Sequence, residues 1–109
     1  MPKILYTVRA ILPTTQLQSR FLAWLVPDHA VAVKAGGAEA VRVVIPDRTG
    51  DSTPAVVEAQ YTFPSRHAFD RYIEIHAPAL RADNLKNFPP ETGIKLERQV
   101  AEIAAEFDQ

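Results

Sequence analysis

The chain has 109 residues, of which 47% are hydrophobic and 23% charged, and its formal net charge is -1. This length predicts one domain, residues 1–109, and the scattered bases argue against nucleic acid as a partner. No apolar run approaches the length of a membrane span, and the N-terminus shows no secretory pattern. The chain has no cysteine, which excludes disulfides and thiolate chemistry, and a cytoplasmic location is expected.

The N-terminal part predicts a strand followed by a helix. Residues 3–12 alternate two sets of side chains and are rich in β-branched and aromatic types, a pattern typical of a strand. Thr14 or Thr15 can cap the helix that follows, in which the apolar positions from Leu17 onward have the spacing of one helical face.

Pro27 interrupts that helical spacing, because its ring removes a backbone donor and clashes with the preceding turn. We therefore expect a kink or a break, followed by a short helical segment that Pro27 or Asp28 opens and Gly36–Gly37 closes. Residues 39–45 then predict a second strand.

The middle of the chain predicts a hairpin and a second helix. Residues 46–54 are dense in turn-forming residues, which indicates an exposed hairpin loop, and residues 55–63 alternate as a third strand. Ser65 caps the next helix, and Pro78 should bend it. The buried stripe expected on this helix comprises Phe69, Tyr72, Ile73, His76 and Leu80.

The C-terminal part predicts a last strand over residues 94–100, after an irregular connection over residues 84–92. Residues 101–109 are interpreted as a short acidic tail with some helical character. The resulting order βαββαβ predicts an α+β fold of the ferredoxin-like type, in which a four-stranded antiparallel sheet carries both helices on one face.

Helices on one face leave the other face of the predicted sheet uncovered. Strand parity assigns ten residues to this open face: Leu5, Thr7, Arg9, Arg42, Val44, Val56, Glu58, Gln60, Glu97 and Gln99. Acids and bases in one patch can pair across a two-fold axis, which suits an isologous homodimer, and a solvated sheet face is the alternative.

Eight short segments, in order along nearly the whole chain, carry a family resemblance. They are residues 4–8, 21–24, 28–29, 34–37, 60–65, 69–72, 76–81 and 96–98. Their order and spacing resemble the dimeric α/β barrel superfamily and, more narrowly, a bacterial family of short proteins with a domain of unknown function.

The resemblance implies a ferredoxin-like protomer, a homodimer that packs two sheets face to face, and a cavity between helices and sheet. The superfamily includes cofactor-free monooxygenases acting on aromatic polyketides, polyketide cyclases and lactone isomerases. It therefore implies no cofactor and an aromatic or polyketide-like acid as ligand, whereas the narrower family implies a fold and a pocket but no reaction. The chain departs from that family at residues 36–40, where relatives often carry a larger apolar residue.

Two histidines are the candidate catalytic residues. His76 follows Phe69 and Tyr72 at helical spacing, so it is expected on the buried stripe, where a partly buried imidazole can act as a general acid or base. The alternative is a core histidine that hydrogen-bonds backbone freed by the bend at Pro78. His29 follows the break in the first helix and is interpreted as a second proton-transfer group or as a capping or pocket-rim residue.

Four further side chains are candidate ligand-binding groups: Trp24, Tyr72, Arg81 and Arg98. The arginines can hold a carboxylate or phenolate with forked donors, and Arg98 has the strand parity of an inward-facing residue. An inward Arg98 needs a partner, and an internal acid such as Asp28 or Asp83 is the plainer interpretation. The aromatic side chains are more typical of core packing than of a binding site.

No single element has the spacing of a metal site, a phosphate-binding glycine loop or a nucleophile elbow. The first hypothesis is therefore a small-molecule-binding protein or cofactor-free enzyme, in which His76 moves a proton and Arg81 binds an anion. The second is a non-catalytic homodimeric module, whose histidines only satisfy backbone at two proline breaks. A metalloprotein would need the fold to bring His29, His76 and a carboxylate together.

Overall fold

The computed structural model describes residues 2–50 and 52–107. The elements in chain order are β1 (Ile4–Leu12), α1 (Thr15–Trp24), a π-helical turn (Leu25–His29), α2 (Ala30–Ala35), β2 (Ala40–Val44), β3 (Ala55–Phe63), α3 (Arg66–Ile75), α4 (Ala77–Asn87), a 3₁₀ turn (Pro90–Thr92) and β4 (Lys95–Glu102). The strands pair antiparallel in the order β2-β3-β1-β4, which confirms the predicted ferredoxin-like α+β fold. No helix in the described part of the chain is long and apolar enough to cross a membrane.

The strand boundaries follow the predicted ones closely, except at the C-terminus. β3 has the predicted bounds, whereas β4 continues two residues beyond the predicted end, to Glu102. Residues 103–107 contain no helix, so the helical interpretation of the tail is wrong over the part that the structure describes. Instead, the Ile103 amide donates to the Lys3 carbonyl at 2.9 Å, which extends the pairing of β4 with β1.

Hydroxyl caps begin two helices at residues that the sequence predicted. Thr14 Oγ1 accepts a hydrogen bond from the Leu17 amide at 3.0 Å, and Ser65 Oγ accepts one from the Ala68 amide at 3.1 Å. Each cap satisfies an amide donor that the first turn of a helix leaves unpaired, and such a cap contributes about 1 kcal/mol to stability.

The first helical segment continues through Pro27 instead of breaking there. Residues 25–29 form a π-helical turn, which accommodates a residue without an amide donor, and α2 follows at once from Ala30. The predicted break is therefore a π-turn, and α2 begins later than at Pro27 or Asp28. Because a π-turn inserts extra backbone into the helix, it shifts the helical phase and so sets the direction of His29, its last residue.

The second helical segment does break, at His76. Pro78 lies in the first turn of α4, where its missing amide costs no hydrogen bond. α4 then runs to Asn87, so the first part of the connection predicted over residues 84–92 is helical. This extension gives Asn84 a place on the buried side of α4.

α2 ends at Gly36–Gly37, as predicted. Gly37 has a φ of +129°, a conformation that residues with side chains rarely adopt. Gly36 packs so tightly that a Cβ at this position would lie 3.1 Å from ring atoms of both Tyr72 and His76. The glycine pair thus ends the helix and lets α2 approach the junction of α3 and α4.

The helices pack on one face of the sheet, and the core lies between the two layers. The largest fully buried side chains are Ile4, Leu12, Leu25, Val33, Val57, Tyr61 and Phe63. β4 is covered less well, because it is an edge strand whose main packing partner is β1. Its helix-facing residues Leu96 and Val100 are respectively half-buried and 43% exposed.

The open face of the sheet carries the residues predicted for it, and a strip of polar contacts crosses all four strands. Arg42 on β2 donates to Gln60 on β3 at 2.8 Å, and Gln60 donates to Glu58 at 3.4 Å. Arg9 on β1 lies 2.8 Å from Glu58 and 3.7 Å from Glu97 on β4. The face is therefore hydrophilic along its middle, with acids and bases alternating.

Candidate functional site

A cavity of about 20 Å³ lies between the sheet and the helices. Its lining comprises Tyr6, Val8, His29, Val33, Tyr61, Tyr72, Leu80, Arg81, Asn84 and Arg98. Roughly 10–15 Å³ is enough for one water molecule, so the cavity admits one water-sized group. Four of the six predicted site residues line it, namely His29, Tyr72, Arg81 and Arg98.

Three tyrosines from different elements converge on the cavity: Tyr6 from β1, Tyr61 from β3 and Tyr72 from α3. The Tyr6 ring centroid lies 6.0 Å from that of Tyr61 and 6.3 Å from that of Tyr72. All three residues are buried, and no hydroxyl makes a hydrogen bond with another described residue. Burial, reinforced by the neighbouring phenols, raises the pKa of Tyr72 to about 12 and also raises the pKa of Tyr61. Both groups therefore stay protonated and can donate.

The imidazole of His29 is held against the indole of Trp24, with ring centroids 4.4 Å apart and an interplanar angle of 27°. Its Nδ1 is buried and has no hydrogen-bond partner among the described residues, which leaves Nε2 as the nitrogen that a ligand can reach. Burial lowers the pKa of His29 from its ordinary value of 6.5, Asp83 opposes this effect, and Arg98 adds to it. His29 is therefore a neutral base at neutral pH.

Asn84, Arg81 and Arg98 form the side of the cavity between α4 and β4. Asn84 is only 8% exposed, and no hydrogen bond joins its side chain to another described residue. The guanidinium groups of Arg81 and Arg98 likewise form no ion pair or hydrogen bond within the described part of the chain. The interpretation that Arg98 pairs with Asp28 or Asp83 is therefore wrong, because Arg98 reaches solvent at an uncovered edge strand and keeps its donors free.

A larger cleft of about 350 Å³ adjoins this cavity, between α4 and β4. Its lining comprises Arg81, Asn84, Leu85, Phe88, Pro90, Ile94, Leu96 and Arg98. Arg81, Asn84 and Arg98 line both spaces, so the polar groups stand where the small cavity meets the cleft. The cleft exists because no helix covers the helix-facing side of β4 closely.

His76 lies outside both spaces and is exposed, so its predicted position on a buried stripe is wrong. The physical reason is the break at this residue, which ends the helical phase shared by Phe69 and Tyr72. The His76 ring stacks at 6.4 Å on Tyr72, from outside the cavity. Trp24 also lies outside the cavity, between His29 and the edge of Phe88 at 5.4 Å.

Sequence reasoning missed Asn84 and treated Tyr6 and Tyr61 as packing residues. For Asn84 a pattern was present, since the buried side of α4 has helical spacing over Ala77, Leu80, Asn84 and Phe88. The turn-rich residues that follow concealed it, because they favoured an irregular connection over the whole stretch. For the two tyrosines, the strand register brings them directly opposite each other, which periodicity within one strand does not reveal.

Over residues 2–50 and 52–107, no group of three or more His, Cys, Asp or Glu side chains could hold a metal ion. The metalloprotein hypothesis needs His29, His76 and a carboxylate at one place, and the described residues contain no such cluster.

No protein-family model matches the chain, and no curated protein matches its sequence. Solved structures do match. A dimeric ferredoxin-like protein from an uncultured marine organism has a TM-score of 0.69 at 17% identity, over 98% of this chain and 100% of that one. SnoaB, a cofactor-independent oxygenase from Streptomyces nogalater, has a TM-score of 0.65 at 12% identity, over 100% of both chains. An ethyl tert-butyl ether D family protein from Bacillus halodurans has a TM-score of 0.64 at 14% identity, over 94% of this chain and 99% of that one.

These likenesses show the fold: the chain has the ferredoxin-like fold that these proteins share. The narrower resemblance to a family of short bacterial proteins stays a prediction.

Proposed function

We propose that this chain is a small-molecule-binding protein or a cofactor-free enzyme, whose site is the tyrosine-lined cavity. The observation that carries the proposal is the convergence of polar side chains that have no partner among the described residues: three phenol hydroxyls, the imidazole of His29 and the amide of Asn84 line one small space. Among these atoms His29 Nδ1 is fully buried, and buried polar groups in folded proteins are nearly always paired. One water makes at most about four hydrogen bonds, so a ligand with its own donors and acceptors would pair the remainder.

In the proposed chemistry His29 accepts a proton from an O–H or acidic C–H of the ligand. A neutral imidazole with a depressed pKa is ready to act as a general base. Proton loss leaves a negative charge on the ligand, which the forked donors of Arg81 and Arg98 can stabilise. This assignment moves the role predicted for His76 to His29, because His76 does not line the cavity.

The ligand class that we propose is an aromatic or polyketide-like acid. It agrees with the presence of a cofactor-independent oxygenase among proteins of the same fold, and with free guanidinium groups beside phenol donors. Proton removal is the step that isomerisation, cyclisation and cofactor-free oxygenation have in common. We therefore propose this step and specify none of the reactions that follow it.

The proposed protein is a homodimer that packs its open sheet faces together. The alternating acids and bases of the polar strip can pair with a second copy across a two-fold axis, and a protein of the same fold is described as dimeric. Thr7→Arg places a bulky cation in the middle of this face and should give a monomer by native mass spectrometry. Glu74→Arg, on the exposed side of α3, should leave the dimer intact. A wild-type chain that is monomeric at micromolar concentration would contradict this interface.

A non-catalytic homodimeric structural or regulatory module is the second candidate. It is favoured by the size of the cavity, since a space of about 20 Å³ needs no occupant larger than a water. Under this candidate the polar groups share an internal water, and no small molecule accompanies the protein.

Native mass spectrometry of protein purified gently from its own host separates the two candidates. We expect a dimer with a bound small mass, lost in His29→Gln and retained in His67→Gln, whose parent residue is exposed on α3. His76→Gln should also retain the mass, and its loss there would restore the role first predicted for His76. A wild-type dimer without any bound mass would favour the non-catalytic module.

A further inference from the structure

The two adjoining spaces of the site differ in size and in chemistry. The inner cavity of about 20 Å³ holds one water-sized group, whereas the cleft between α4 and β4 measures about 350 Å³. Small-molecule sites usually measure about 300–1,000 Å³, so only the cleft has room for the body of a ligand. A ligand that reaches the cavity must therefore lie mostly in the cleft.

The outer part of the cleft is apolar and partly exposed to solvent. Its outer lining consists of Leu85, Phe88, Pro90, Ile94 and Leu96. Leu85 is 57% exposed, and Val100, on the same side of β4 as Leu96, is 43% exposed. Covering such a surface with an apolar group is favourable, because it removes hydrocarbon from water.

The inner end of the cleft is positively charged and lacks an internal counter-ion. Arg81 and Arg98 line both the cleft and the cavity, and neither forms an ion pair within the described residues. The nearby acid on α4, Asp83, accepts a hydrogen bond from Asn87 at 3.2 Å instead. Both arginines also lower the pKa of Tyr72 against the larger effect of burial, so their positive field reaches into the cavity. Two free guanidiniums at the end of an apolar cleft are complementary to a carboxylate with an apolar tail.

We infer that the cleft between α4 and β4 binds the apolar body of an amphipathic carboxylic acid, with its carboxylate between Arg81 and Arg98. The inference rests on the proposed function, to which it adds the place of the ligand's apolar body and the orientation of its carboxylate. The carboxylate and its α-carbon lie at the boundary of the two spaces, so that the α C–H faces the cavity that His29 lines, and the rest of the carbon chain or ring system extends over Leu85, Phe88 and Leu96 toward solvent. Asn84 lines both spaces, as the two arginines do, and can donate to the same carboxylate.

Trp24 supplies the readout for a binding test. It is the single tryptophan of the chain, and its ring lies 5.4 Å from Phe88, which lines the cleft. We would titrate the full-length protein with decanoate and follow the fluorescence of Trp24, with decanol as the uncharged counterpart and acetate as the carboxylate without an apolar body. Saturable binding of decanoate is expected, about tenfold or more tighter than binding of either decanol or acetate.

Variants separate the contribution of the two arginines to binding from that of the apolar side chains that line the cleft. Arg81→Gln combined with Arg98→Gln should weaken decanoate binding about tenfold or more and leave decanol binding unchanged. Leu96→Asp should weaken decanoate binding while its unfolding midpoint, measured in parallel, shows a folded protein. Arg66→Gln is the matched control, because Arg66 is an exposed arginine of α3 that lines neither space.

Three results would overturn the inference. Decanoate and decanol could bind equally, the double arginine variant could bind decanoate like the wild type, or Leu85→Asp could convert a dimer that ignores decanoate into a monomer. The last result would assign the cleft to a second copy of the chain.

The same data distinguish this inference from the proposed function. If decanoate binds through the arginines while His29→Gln changes neither the bound mass nor turnover, the cleft is a ligand site and proton transfer by His29 is wrong. If a His29-dependent ligand accompanies the protein and decanoate does not displace it, the cleft inference alone fails.

Discussion

β3 and β4 both have one side toward the helices, and these two sides reach opposite environments. On β3 every helix-facing residue is buried, with Val57 and Phe63 at 1% and 0% exposure, because α1, α2 and α3 all pack against this strand. On β4 the residues on the same side of the sheet are half-buried or exposed, and two of them, Leu96 and Arg98, line the cleft. The comparison teaches that helix coverage goes with the apolar side of β3, whereas the mixed side of β4 is left to line a candidate binding surface.

The largest expected effect tests this difference directly. Phe63→Ala removes a fully buried ring from β3 and should lower the free energy of unfolding by about 3–5 kcal/mol. Val100→Ala on β4 should lower it by much less, about 0.5 kcal/mol, since Val100 is 43% exposed. Chemical denaturation of both variants measures the two values. Equal costs would mean that β4 is covered in solution, for instance by a partner.

A smaller effect concerns the helix that covers β3. Ser65→Ala removes the cap of α3 and should cost about 1 kcal/mol, because the Ala68 amide loses its acceptor. Ser19→Ala is the control within a helix, where the hydroxyl bonds the Thr15 carbonyl at 3.2 Å and has no capping role. It should be neutral or slightly stabilising in the same denaturation experiment. A similar loss from both variants would show that the cap is not the source of the effect.

His29, which lines the cavity between the sheet and the helices, should make the free energy of unfolding depend on pH. Its pKa is lowered in the folded state, so the unfolded chain binds more protons just below pH 6.5. Stability is therefore expected to fall as the pH drops from 6.5 toward the folded-state pKa, and His29→Gln should remove this component. His67→Gln is the matched control and should retain it.

The fluorescence of Trp24 provides an independent measurement of the titration of His29. Because its indole stacks on His29, protonation of the imidazole should quench the fluorescence, with a midpoint below 6.5. A midpoint at or above 6.5 would contradict the buried, neutral state of His29.

The smallest effect compares the two strands on the open face of the sheet. Arg9 lies 2.8 Å from Glu58 on β3 and 3.7 Å from Glu97 on β4, and the Glu97 side chain is 66% exposed. In the monomer, whose open face is exposed, Glu97→Gln should change the free energy of unfolding by less than about 0.5 kcal/mol, and Glu58→Gln should lower it by about 0.5–1 kcal/mol. The difference should shrink in high salt, which screens surface pairs. An effect of Glu97→Gln as large as that of Glu58→Gln would place the stronger pair on β4.

The sequence predicted the site less completely than the fold, and the two histidines show why. Each lies two residues from a proline in a helical segment, and the spacing of apolar residues favoured His76. Pro27 lies within a π-turn that keeps the helix continuous and directs His29 to the cavity. The helix before Pro78 ends at His76 instead, and His76 lies outside the cavity. Which of these two outcomes a proline produces depends on packing around it, and local spacing does not record that packing.

The sequence by itself determined the boundaries of β1, β2 and β3 to within one residue, the caps at Thr14 and Ser65, the order of the strands and the membership of the open face. These features follow from periodicity and from side-chain chemistry within a few residues, so they can be found along the chain. Only the tertiary structure decided that Tyr6, Tyr61 and Tyr72 meet, that Asn84 is buried, and that β4 stays uncovered. These features depend on register between strands and on the coverage that each helix supplies, and both are settled when the layers pack.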